Sequence, residues 1–90
     1  MIYGKFIAEY LGTVLLVLSI FASGANPLFV GLTLSLIIYL CGTTNPGHVN
    51  PAVSIAMYFR NKVTLTEMTG FIIAQVLGGA TSFYIFRALA

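Results

Sequence analysis

The chain has 90 residues, 59% hydrophobic and 7% charged, with four basic and two acidic side chains giving a net charge of +2, and its mean hydropathy is +1.01. That is too little polar surface to cover a core of this size in water, so an ordinary soluble domain is excluded and lipid is the expected solvent. So few charges form no patch for nucleic acid or for steering acidic substrates, and they serve as topology markers instead. One cysteine, Cys41, admits no internal disulfide, and Cys41 with His48 would under-coordinate a zinc ion, so no metal or other cofactor is expected.

The first apolar segment, about residues 5–22, reads FIAEYLGTVLLVLSIFA after Lys5. Its roughly 18 residues make about 27 Å of helix, close to the ~30 Å hydrocarbon core. A cleaved signal peptide would look similar, but Glu9 falls early in the segment and the apolar run exceeds the usual h-region of about 7–15 residues. The turn SGANP, residues 23–27, punctuates the chain, with Pro27 suited to the first turn of the next helix. The second segment, about 28–42, is LFVGLTLSLIIYLC and reaches only about 21 Å if helical, so flanking residues must complete a crossing.

Next comes GTTNPGHVNPAVSIAMYFRNK, residues 42–62, a polar interruption with two Asn-Pro pairs. Asn45-Pro46 should end one helix, and Asn50 as cap with Pro51 at the first position should start another. Residues 50–60 make roughly 16 Å of helix, about half the hydrocarbon thickness. Ala52, Val53, Ile55, Ala56, Met57 and Phe59 are too apolar for a solvated loop. This half-helix is expected to dip into the membrane and return. The run Thr43, Thr44, Asn45, Gly47 and His48 in the loop 43–49 would line a watery cavity or its wall, because irregular backbone at membrane depth must be buried in protein or face water. An interfacial helix lying on the membrane is the alternative. The last segment, about 66–88, reads TEMTGFIIAQVLGGATSFYIFRA and is long enough to span with tilt. The fold class expected is an all-α membrane protein with three transmembrane helices and one re-entrant half-helix.

Three motifs on these segments carry a resemblance. GHVNPAV, Gly47 to Val53, resembles the first signature loop of the aquaporin and aquaglyceroporin family, roughly S-G-x-H-x-N-P-A-V. AEYLGT, Ala8 to Thr13, resembles the family's first-helix A-E-x-x-G-T, and IIAQVLGG, Ile72 to Gly79, resembles its third-helix A-Q-x-x-G. The likeness covers nearly the whole chain but only half of the family's fold, which joins two inverted repeats whose half-helices meet by their N-termini at mid-membrane. Residues 1–90 would form a single first half-repeat.

The resemblance implies a channel, not an enzyme, for water and small neutral solutes. Asn50 would sit at the positive end of the half-helix, repelling cations and offering its amide to water, with selectivity of the kind set by pore lining and half-helix dipoles. Carbonyls of Pro46, Gly47, His48 and Val49 would replace a solute's hydration. Pro51 and Ala52 would fix the loop against its counterpart, and Glu9 and Gln75 would hold loop backbone groups. Two departures matter. Asn45-Pro46 stands where the family has Ser-Gly, which stiffens the loop, and Val30 stands where the family places a bulky filter aromatic. The wider constriction would admit glycerol as well as water.

Plainer readings stand beside these. Glu9 lies four residues after Lys5, a spacing that allows a helix-face ion pair. His48 could be a packed histidine shaping the loop. Ala8 with Gly12, and Ala74 with Gly78 and Ser82, read as small faces for close helix packing. Tyr3, Tyr58 and Phe59 suit the membrane boundary.

The cytoplasmic amino end that the resemblance implies puts Lys5, Arg60 and Lys62 inside and Arg87 outside, in keeping with the positive-inside rule. One preferred orientation disfavours an antiparallel homodimer. The expected partners are lipid, permeating solutes and a second aquaporin-like half, either a separate chain or the remainder of a longer one, in a higher oligomer. The competing class is a non-conducting membrane interaction protein packing through its small-residue faces. An intramembrane enzyme using Cys41 or His48 is disfavoured, since nothing in the spacing brings the two within hydrogen-bond reach.

Overall fold

The computed structural model describes residues 3–42 and 44–90; Thr43, expected in the polar loop, lies outside the described residues. The described chain forms four helices: α1 (Gly4–Ser23), α2 (Pro27–Cys41), α3 (Pro51–Phe59) and α4 (Leu65–Leu89). Local chemistry explains each boundary. α1 stops where Gly24 turns left-handed at φ 64° and the Ala25 N–H donates back to the Ile20 carbonyl at 2.8 Å, closing off exposed helix carbonyls. α2 starts at Asn26, whose Oδ1 accepts from the Phe29 N–H at 3.0 Å, with Pro27 as the first helical residue. α4 opens with a capping box: Thr64 Oγ1 accepts from Glu67 N–H at 3.1 Å, and Glu67 Oε1 accepts from Thr64 N–H at 2.9 Å.

Among the described residues α1, with 20 residues, and α4, with 25, are the two helices long and apolar enough to cross a membrane. At the helical rise they measure about 30 and 37 Å, whereas α2, with 15 residues, measures about 22 Å and α3, with nine, about 14 Å. α1 and α4 pack in parallel along a continuous seam. Lys5 Nζ donates to Glu67 Oε2 at 2.8 Å, the rings of Phe6 and Phe71 lie 5.4 Å apart, Tyr10 and Thr81 hydroxyls meet at 2.7 Å, and the tilted rings of Phe21 and Phe86 lie 5.5 Å apart. The seam is close because Gly78 faces α1: a Cβ there would come within 2.8 Å of the Tyr10 carbonyl oxygen and 2.9 Å of Thr13 Cβ. α2 packs on the other side of α1, and α3 packs on α4.

The distribution of side chains is inverted relative to a water-soluble core. Among the described residues only Ile37, Val49, Phe71 and Ala74 are buried hydrophobics, while Glu9, Thr13, Ser19, Ser54, Gln75 and Ser82 are buried polar residues. Large apolar residues such as Leu11, Leu28, Leu32, Leu40 and Leu77 face outward. In lipid that is the stable arrangement, since apolar side chains cost nothing outside and polar groups must find partners inside. Several find them on their own helix: Thr13 donates to the Glu9 carbonyl at 2.8 Å, Ser19 to Leu16 at 2.6 Å and Ser82 to Gly79 at 3.1 Å.

Candidate functional site

The site is built around one buried carboxylate. Glu9 is fully buried on α1, and it does not pair with Lys5, which reaches across to Glu67 instead. Its Oε1 accepts from the His48 N–H at 2.7 Å; its Oε2 accepts from the Val49 N–H at 2.7 Å and from Gln75 Nε2 at 3.1 Å. Three donors compensate for removing a carboxylate from water. Two of them belong to the loop, so Glu9 fastens residues 48 and 49 to a helix nearly 40 positions away in sequence. Among the described residues Gln75 makes no hydrogen bond to the loop backbone. Its Nε2 bridges Glu9 to Ser54 Oγ, the latter at 2.9 Å, and its Oε1 is buried with no partner among the described residues.

The loop pays locally for this geometry. Val49 has φ 48°, a left-handed conformation that is an outlier for a β-branched residue and costs about 1–3 kcal/mol. Its side chain is nonetheless only 4% exposed. A Cβ on Gly12 would lie 2.8 Å from Val49 Cγ1 and 3.2 Å from Ile37 Cγ2, so only glycine leaves room for the loop and α2 to meet here. The small Ala8–Gly12 face therefore receives a loop side chain as well as a helix. Gly47, also buried and at φ 66°, adopts the turn that a side chain would resist, with Cys41 Sγ nearby. Gly12 lies near the midpoint of α1, so the start of α3 sits at mid-height in the bundle.

Asn50 caps α3, its Oδ1 accepting from the Ala52 N–H at 2.8 Å. That bond assigns the amide: the oxygen faces the helix and Nδ2 is left without a partner among the described residues. Pro51 occupies the first helical position, where its missing N–H costs nothing, and Ala52 is exposed beside it. Among the described residues no donor reaches the carbonyls of Pro46, Gly47, His48 or Val49. Four successive carbonyls are thus without a donor among the described residues, and the Asn50 amide, also unpartnered there, stands at the positive end of a short helix. His48 is half-buried, with its ring edge-on to Phe71 at 5.5 Å and its Nδ1 2.9 Å from Ser54 Oγ.

Val30 is not part of this cluster. It lies in the first turn of α2, about 16 Å along the helix from Cys41, which borders the loop. Cys41 and His48 share no hydrogen bond among the described residues, and no group of three or more His, Cys, Asp or Glu there could hold a metal ion. An apolar groove of about 240 Å³ opens between α1 and α2, lined by Ala8, Leu11, Leu15, Leu40, Cys41 and Asn45 among others. Sequence reasoning missed Ser54, which is fully buried and bonded to both His48 and Gln75. The one signal available was a serine four residues after the Asn50 cap on an otherwise apolar half-helix.

The profile of the Major intrinsic protein family matches residues 1–90. Glycerol uptake facilitator protein-like 6 of Lactiplantibacillus plantarum is 35% identical over 82 residues, covering 82% of this chain and 38% of that protein. Aquaporin Z of Photorhabdus laumondii is 33% identical over 100 aligned positions, 96% of this chain and 43% of that protein. The probable glycerol uptake facilitator protein of Thermotoga maritima is 30% identical, over 81% of this chain and 38% of that protein. The chain thus spans 38–43% of the length of these relatives. No solved structure matches it. A match along all 90 residues, together with relatives named both as aquaporin and as glycerol facilitator, makes this membrane chain a member of the major intrinsic protein family.

Proposed function

We propose that the chain is one half of a channel for the passive passage of water and small neutral solutes such as glycerol. In this reading α1, α2 with its flanking residues, and α4 span the bilayer with the amino end cytoplasmic, while the loop 43–49 and α3 re-enter to mid-membrane. The observation that carries it is the run of open carbonyls from Pro46 to Val49 ending at the free Nδ2 of Asn50. Such a line of acceptors substitutes for a solute's hydration one contact at a time, and the helix dipole beside Asn50 repels cations. Pro51 and Ala52 seat the end of the half-helix against its counterpart, and Glu9, with Gln75 behind it, keeps the carbonyls in line. Val30, in the first turn of α2, lines a second and wider constriction that leaves room for glycerol.

A single half-helix leaves a pore with one wall. The second wall comes from a matching half, a partner chain or the rest of a longer one, seated along the open groove between α1 and α2. Relatives more than twice as long as this chain support that division. The test is to place this chain in proteoliposomes with the second half of the Photorhabdus aquaporin Z and to follow shrinkage by stopped-flow light scattering. Water permeability well above that of empty liposomes, abolished by Asn50→Asp, is expected. A correctly folded pair of halves with the permeability of empty liposomes would instead favour a non-conducting, helix-packing role.

A further inference from the structure

The polar groups behind the loop form a directional chain, and its direction can be read from atom types alone. Glu9 is the fixed end, because both of its carboxylate oxygens already accept from loop N–H groups, at 2.7 Å each. Gln75 must therefore turn its NH2 toward Glu9 Oε2, at 3.1 Å; the opposite rotamer would set an amide oxygen against a carboxylate oxygen. The same Nε2 lies 2.9 Å from Ser54 Oγ and donates its second proton there. Ser54 has thus received one hydrogen bond and has one proton to give. It is fully buried, and the remaining atom within its reach is His48 Nδ1, at 2.9 Å. If Nδ1 carried the proton instead, Ser54 Oγ would accept twice and its own buried proton would have no acceptor among the described contacts.

We propose that Ser54 is a positioning residue that holds the neutral His48 ring as the Nε2–H tautomer, with Glu9 and Gln75 setting the direction of the chain. The tautomer of a histidine is decided by what its other nitrogen meets. Here that partner sits on α3, the same helix whose N-terminus Asn50 caps, so loop and half-helix are tied by a side-chain bond as well as by sequence. The residue is also held at the backbone, by the His48 N–H to Glu9 Oε1 bond, and its ring stands perpendicular to that of Phe71. His48 Nε2–H then has no partner among the described residues and is a fixed donor on a half-buried residue. Its value as a donor to a solute oxygen rests on the permeation reading above; the tautomer itself does not.

The chain contains a single histidine, so a ring-labelled sample gives one imidazole signal. The measurement is nitrogen NMR of the full chain carrying 15N-histidine in lipid, above the histidine titration range. A one-bond proton coupling at Nε2 alone is expected, with the Nδ1 resonance displaced by the hydrogen bond it accepts. In Ser54→Ala the Nδ1 resonance should move to the position of an unbonded nitrogen, and Ser54→Thr should restore it. A proton on Nδ1 in the unaltered chain overturns the proposal without reference to any variant. An Nδ1 resonance that Ser54→Ala leaves in place overturns it as well, and neither result depends on whether the chain conducts.

Discussion

Glu9→Gln replaces one oxygen of the carboxylate by an NH2 group at almost unchanged volume, so its effect is confined to hydrogen bonding. In the native site two oxygens accept from His48 N–H, Val49 N–H and Gln75 Nε2. An amide has one acceptor oxygen, so at least one of the two loop N–H groups would face a donor. An orphaned buried N–H costs about 1–3 kcal/mol, and exchanging the remaining charge-assisted bonds for neutral ones costs roughly 1 more, or about 3 kcal/mol in total. The left-handed Val49, storing about 1–3 kcal/mol, relaxes when the loop opens and so adds nothing to hold it shut. At about 1.4 kcal/mol per decade, the open population of the loop should rise about 100-fold. Hydrogen exchange of the His48 and Val49 amides in lipid nanodiscs measures this directly, with amides in the middle of α4 as an internal control. Exchange at both positions within about threefold of the parent would refute the role given to Glu9, because about 0.6 kcal/mol is all that such a change represents.

Neighbouring glycines on α4 should respond with opposite signs. Gly78→Ala drives a methyl group into the Tyr10 carbonyl and Thr13 and should cost about 1–3 kcal/mol, whereas Gly79→Ala meets nothing within 4 Å and should stabilise by up to about 1 kcal/mol through helix propensity. Thermal unfolding in detergent, read by circular dichroism, would separate the two. Lys5→Met removes a partly exposed ion pair whose side chains are 33% and 28% exposed, so its effect on the same melting curve should stay within about 1 kcal/mol. Val30→Trp, tested with a complementing second half, should reduce glycerol flux more than water flux; equal reduction would remove Val30 from any role in selectivity.

The helix boundaries were legible because local rules decide them. Asn50-Pro51 is cap and first residue of α3 and Pro27 opens α2, as expected; the Asn26 cap and the Thr64 to Glu67 capping box follow the same local rules but were not read from the sequence, which placed the last helix from about residue 66. The family could be read from GHVNPAV with its two companion motifs, since each couples a backbone requirement to a residue type: glycine for a left-handed turn, proline where no donor is needed, asparagine for a cap. The resemblance pointed Glu9 at loop backbone groups, but spacing alone did not. Lys5 at four residues' distance was as good a candidate by spacing as His48 and Val49 at 39 and 40, and only the packed structure chose between them.

Composition and periodicity by themselves determined that this chain is helical and belongs in lipid, because hydropathy is a sum over residues and capping is a matter of three or four neighbours. What the tertiary structure decided is which polar groups meet inside. Ser54 looked like one hydroxyl on a short apolar helix until α3 and α4 brought it within 2.9 Å of both His48 and Gln75. Gly12 looked like a helix-packing residue until the strained Val49 was found against it. A buried hydrogen bond depends on the positions of two atoms far apart in the chain, and those positions exist only once the close α1–α4 seam has formed.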